Sequence, residues 1–130
     1  MTEMAESKLP DRLQGRRVLV VEDEYFVADD VATELRALGA DVVGPVPDLV
    51  RAMEIVASGE RIDLAVLDIN LQGETVYPVA DALKTRLVPF VFATGYAQSL
   101  IPESYGDVPR WEKPYDHRVL ARMLPNLLTP

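Results

Sequence analysis

The sequence predicts a doubly wound α/β fold: one five-stranded parallel sheet of order 2-1-3-4-5 with helices on both faces. Three observations carry this. Apolar runs of strand length alternate with segments of helical periodicity, the pattern of a sheet assembled from βαβ units. Two of the runs, Val18-Leu19-Val20-Val21 and Leu64-Ala65-Val66-Leu67, are continuously apolar, as strands buried on both faces must be. Both runs stop in acids, Glu22-Asp23-Glu24 and Asp68. In open α/β sheets ligands gather outside the carboxyl ends of the strands, where strand order reverses. For this order that point lies between strands one and three, the two that end in acids.

Residues 1–15 read as a flexible, solvated tail, because Glu, Ser, Lys, Pro and Asp outnumber large apolar residues there. The folded domain is expected over 16–130. Gly15-Arg16-Arg17 leads into the first strand, Val18 to Val21. A helix follows over Tyr25 to Leu38, with Val27, Val31, Leu35 and Leu38 on one face and Gly39 to terminate it. Asp41 to Val46 reads as a second strand, closed by Pro45 and Pro47. Asp48 is placed to cap a second helix whose face is Leu49, Ala52, Met53 and Val56, ended by Ser58-Gly59. Strand three is Leu64 to Asp68. A loop covers Leu71 to Val76, and Pro78 suits the first turn of a third helix reaching Thr85. Strand four is Phe90 to Ala93. Ala97 to Ile101 has room for one helical turn, since Pro102 and Gly106 interrupt it, so the fourth helix is expected to be short or irregular. Arg110 to Glu112 forms a minimal fifth strand. A last helix runs from its cap, Asp116, to Leu128, with Leu120, Met123, Leu124 and Leu127 on its apolar face. Pro125 is expected to bend it or end it early.

Composition narrows the function. The chain of 130 residues suits one ordinary domain, and 48% hydrophobic residues suffice for a sizeable core. A net charge of −8 argues against nucleic acid as a direct partner, because phosphate binding needs a basic face, and against an anionic membrane surface. No apolar run reaches the roughly 18 residues of a membrane span. Residues 1–14 lack the apolar core of a signal peptide, so the cytoplasm is the expected compartment. Without cysteine there is no disulfide framework and no thiolate metal site.

The chemistry collects at the strand ends: Glu22 and Asp23 after strand one, Asp68 after strand three, Thr94 after strand four, Lys113 after strand five. Clustered carboxylates repel one another and cannot all stay ionised without a counter-charge. A hard divalent cation supplies it, and Mg²⁺ takes oxygen ligands while keeping waters for a phosphorylated partner group. Lys113 adds a point charge suited to a phosphoryl oxygen, and Thr94 a hydroxyl donor. Asp68 between metal and lysine is then a nucleophile toward phosphorus.

These residues resemble those of the response regulator receiver domain, the phosphoacceptor half of two-component signalling. The resemblance runs from about Arg17 to Leu128. It rests on Val18-Leu19-Val20-Val21-Glu22-Asp23-Glu24, Leu67-Asp68-Ile69-Asn70-Leu71, Ala93-Thr94-Gly95 and Lys113-Pro114, in that order and each at a predicted strand end. It implies a flavodoxin-like (βα)5 fold, Asp68 as the phosphorylated aspartate, and Glu22 and Asp23 as the pair holding Mg²⁺, with the backbone carbonyl of Asn70 as a further ligand. It also implies that Thr94 is the switch hydroxyl and that Lys113 contacts the phosphoryl group. Phe92-Ala93-Thr94-Gly95-Tyr96 is similar to the signature of an alphaproteobacterial receiver subgroup that includes stand-alone receivers. Where the family carries an aromatic switch residue, three positions before the lysine, this chain has Arg110. Tyr96, Trp111 and the segment from Ala97 to Val108 are the candidates to replace it.

The expectation is a single-domain response regulator that takes a phosphoryl group onto Asp68 from a sensor histidine kinase or histidine phosphotransfer protein. Only two residues follow the last helix, which leaves no output domain in this sequence, so signalling is expected through protein contact or relay to an unidentified partner. It is not expected to be an enzyme acting on a substrate. A phosphorylation-independent interaction module of the same fold is the alternative, and the intact acid, aspartate, threonine and lysine set argues against it. A haloacid-dehalogenase-type phosphatase needs a second aspartate where Asn70 stands. A flavin carrier needs a phosphate cradle where this chain places acids.

Overall fold

Successive side chains of a strand point to opposite faces of its sheet, and here both faces are apolar. The computed structural model describes residues 12–94, 101–112 and 117–128. Five strands form the main sheet: β1 (Arg17–Val21), β2 (Asp41–Val46), β3 (Leu64–Asp68), β4 (Phe90–Thr94) and β5 (Arg110–Glu112). They lie in the order β2-β1-β3-β4-β5, with every pairing parallel. The doubly wound, flavodoxin-like class and its 2-1-3-4-5 order are borne out.

Among the described residues four helices cover the sheet: α1 (Tyr25–Ala37), α2 (Leu49–Ala57), α3 (Tyr77–Thr85) and α4 (His117–Leu128). One core gathers Leu19, Val21, Ala65, Leu67 and Phe92 against Ala52 and Val56 of α2 and Val79, Ala80 and Leu83 of α3. The other gathers Val18, Val20, Leu64, Val66 and Val91 against Val31 and Leu35 of α1 and Leu120 and Leu124 of α4. β3 is buried along its whole length, Asp68 included, because it is the central strand and is covered on both faces. That burial explains the unbroken apolar run in its sequence.

Local chemistry sets the helix ends. Asp48 caps α2 by accepting the Arg51 amide at 2.8 Å. The Arg86 guanidinium donates to the carbonyls of Val56 (3.0 Å) and Glu60 (2.8 Å), satisfying acceptors at the far end of α2. Leu38 is the C-cap of α1, and Gly39 follows with φ +90°.

The structure corrects the expected reading at three places. The expected loop from Leu71 to Val76 contains an antiparallel hairpin, Asn70–Leu71 against Glu74–Thr75. Its two-residue turn, Gln72-Gly73, has both residues at positive φ, +53° and +90°. Leu13, assigned to the tail, is fully buried in the α1/α4 core, where its amide donates to the Leu38 carbonyl at 2.9 Å. Pro125 does not end α4, which continues to Leu128; the amide it lacks falls in the last turns, where buried Leu124 anchors the helix. Between β4 and β5 the described residues hold only a 3₁₀ turn, Glu103–Tyr105, in keeping with the expected short or irregular fourth helix. Most of the expected turn at Ala97 to Ile101, and the expected cap Asp116, lie outside the described residues.

Candidate metal centre

β1 and β3 are direct neighbours in register, Val21 beside Leu67, so the residues that follow them emerge side by side at one sheet edge. Glu22, Asp23 and Asp68 each offer a carboxylate oxygen there, and these oxygens lie within 4.8 Å of one another. Glu22 and Asp68 are buried, at 5% and 6% exposure, while Asp23 is half-buried. Two buried carboxylates with a third beside them store repulsion that a cation relieves.

Backbone amides aim each acid. The Glu24 amide donates to Glu22 Oε2 at 3.1 Å, and the Asn70 amide donates to Asp68 Oδ1 at 3.3 Å. The Gln72 amide, at the hairpin turn, donates to Asp23 Oδ2 at 3.0 Å across 49 positions of sequence. Glu24 does something different, since its side chain accepts the Val27 amide at 3.0 Å and caps α1. It stands apart from the acidic trio, as an acid favoured by the positive end of a helix.

The remaining expected residues fall into two groups. Thr94 ends β4, paired with Glu112 of β5, on the same edge of the sheet as Asp68. Lys113 and Tyr96 lie outside the described residues. Asn70 opens the hairpin, and its side-chain oxygen accepts the Gly73 amide at 3.2 Å. Beside the acids, a cleft of about 330 Å³ opens between Tyr25, Pro45, Pro47 and Arg51. Tyr25, which lines it, and the neighbouring Phe26 are each 72% exposed and meet edge to face.

Sequence reading passed over Tyr105. It is 4% exposed, stacks on Tyr77 with ring centroids 5.0 Å apart, and meets Phe92 edge to face at 5.6 Å. The only hint was an aromatic residue in a segment otherwise broken by Pro102 and Gly106. Trp111, a candidate for switching, is 2% exposed and belongs to the α1/α4 core. Arg110, in the position of the family's aromatic, is half-buried, and its Nε has no hydrogen-bond partner among the described residues. Its charge counters the upward push that burial gives the Tyr77 phenol.

A donor set made only of oxygen suits a hard divalent cation such as Mg²⁺, so these residues fit the metal that the receiver resemblance implies. The fold and this edge define a signalling domain of the two-component type, and relatives place it further. No family model matches the chain. The solution structure of SdrG from Sphingomonas melonis Fr1 is 38% identical, with a TM-score of 0.76, covering 87% of this chain and 96% of that one. The response regulator REC domain of PhyR from Erythrobacter litoralis is 27% identical, with a TM-score of 0.77, covering 89% and 92%. The transcriptional regulatory protein PdtaR of Mycobacterium tuberculosis is 30% identical over 98 residues, 75% of this chain and 47% of PdtaR. The chain belongs to the response regulator receiver family. It spans less than half the length of the curated relatives it matches.

Proposed function

We propose that this receiver accepts a phosphoryl group on Asp68, from a histidine kinase or a histidine phosphotransfer protein, in a Mg²⁺-dependent step. The observation that carries the reading is the convergence of Glu22, Asp23 and Asp68 between β1 and β3, with two of the three buried. A structure of SdrG in a BeF₃-activated conformation adds support by analogy. Glu22, Asp23, Asp68 and the Asn70 carbonyl hold the metal. Bound there, Mg²⁺ offsets the carboxylates and the charge on the transferring phosphoryl oxygens. An Asp68 carboxylate oxygen forms the new P–O bond as the P–N bond of the donor phosphohistidine breaks, its electron pair staying on the imidazole nitrogen. Thr94 and Lys113 contact the phosphoryl oxygens. The chemistry is confined to the chain's own phosphorylation and hydrolysis. Output passes by protein contact or relay in the cytoplasm.

Intact mass after incubation with acetyl phosphate tests this. A labile phosphoryl adduct that needs Mg²⁺ and is lost in Asp68→Asn is the expected result. No adduct, together with no spectral response to beryllofluoride and Mg²⁺, overturns the reading in favour of a phosphorylation-independent module.

A further inference from the structure

The hairpin after β3 touches the acidic edge twice. At its base, Asn70 pairs with Thr75, which fixes the backbone of the residue whose carbonyl is assigned to the metal. At its turn, the Gln72 amide holds Asp23 Oδ2 at 3.0 Å. The turn is itself tied to the base, because the Gly73 amide donates to Asn70 Oδ1 at 3.2 Å. Gln72 and Gly73 both sit at positive φ, so the amide reaches Asp23 only while this turn keeps its shape. Asp23 also belongs to a loop of its own, between β1 and the Glu24 cap of α1, and shares no element with the hairpin.

We propose that the Asn70–Thr75 hairpin is a positioning element for the metal centre. By bonding one oxygen of Asp23, the Gln72 amide holds that carboxylate toward Glu22 and Asp68 before the cation arrives. Mg²⁺ affinity then depends on the closure of the Gln72-Gly73 turn, whose side chains need not touch the metal. The inference rests on the metal reading of the acidic trio. Groups that orient a ligand in this way alter metal affinity by about tenfold or more when lost.

Gly73 is the place to test it. A Cβ there meets nothing within 4 Å, so a substitution acts through the backbone at φ +90° and not by a clash. Gly73→Val strains the turn, whereas Gly73→Asn is a side chain that tolerates a left-handed conformation. The full-length protein is titrated with MgCl₂ by calorimetry. Exchange of the Gln72 amide proton is followed by NMR without metal. Thermal melts monitor folding.

The expected result has three parts. The wild type binds Mg²⁺ and protects the Gln72 amide. Gly73→Val loses that protection and binds Mg²⁺ about tenfold more weakly, with its melt nearly unchanged. Gly73→Asn stays within about twofold of wild type in affinity. Equal affinity of Gly73→Val and wild type overturns the proposal and leaves the metal reading standing. An unprotected Gln72 amide in the metal-free wild type overturns it equally. Absence of Mg²⁺ binding by the wild type overturns the metal reading and the positioning role together.

Discussion

The Tyr105 hydroxyl donates a hydrogen bond to the Asp81 carboxylate, joining the segment before β5 to α3. Around it, Lys84 Nζ lies 4.7 Å from the Tyr105 ring centroid and donates to the Ser104 carbonyl at 2.9 Å. A 3₁₀ turn of three residues has little apolar surface of its own, so it stays on the core by lending one large side chain to it. Tyr105→Phe keeps the stacking on Tyr77 and removes the bond. It should cost about 1 kcal/mol in denaturant unfolding.

The same bond carries a pH signature. Burial and the Asp81 partner push the Tyr105 phenol up to about 12, from the ordinary value of 10.0. The raised value means that the folded state holds the proton more tightly than the unfolded chain. The stabilisation is therefore complete below about pH 10 and is lost as pH rises toward 12. Alkaline unfolding followed by circular dichroism should show this loss in the wild type, and Tyr105→Phe should flatten it.

Mg²⁺ should stabilise the chain by mass action. At a hundred times its Kd, a ligand bound only by the folded state adds about 2.7 kcal/mol, which a chelator should remove in a thermal melt. Asp23→Asn should behave in the opposite sense without metal. It relieves part of the repulsion among the acids while its amide oxygen still accepts from Gln72, adding roughly 0.5–1 kcal/mol. It should also abolish most of the Mg²⁺-dependent gain. A melt with and without Mg²⁺ on both proteins decides the matter.

Leu13 ties the segment before β1 to the α1/α4 core. Its side chain fills the α1/α4 core and its amide bonds Leu38. Leu13→Ala should cost about 2–4 kcal/mol, as for other fully buried leucines. A denaturant melt measures it, and a cost under about 1 kcal/mol would show that the site collapses freely around the loss.

Arg110 is half-buried, with a buried Nε lacking a partner among the described residues. Arg110→Met removes that cost and keeps the stem, so stability should be unchanged or higher by up to about 1 kcal/mol. The Tyr77 phenol, relieved of the nearby positive charge, should titrate at higher pH in an NMR titration of labelled tyrosine.

The sequence by itself determined the fold class and the acids at the ends of the first and third strands. Periodicity and burial act over a few residues: a strand covered on both faces must be apolar throughout, as Leu64 to Leu67 are, and a helix must repeat its apolar face every three or four residues. The caps at Asp48 and Glu24 are equally local, since each acid bonds an amide three residues on. Tertiary structure alone decided what distant segments do to one another. Leu13 is one of two leucines in a polar stretch, and only the end of α1 makes it core. Gln72-Gly73 reads as any glycine turn, and only the fold brings its amide to Asp23, 49 positions away. Tyr105 has no periodic partners, and only α3 and β4 supply the aromatic rings and the carboxylate that hold it. Short-range pattern records which face of an element is buried, whereas long-range pairing depends on where the whole sheet sets its neighbours.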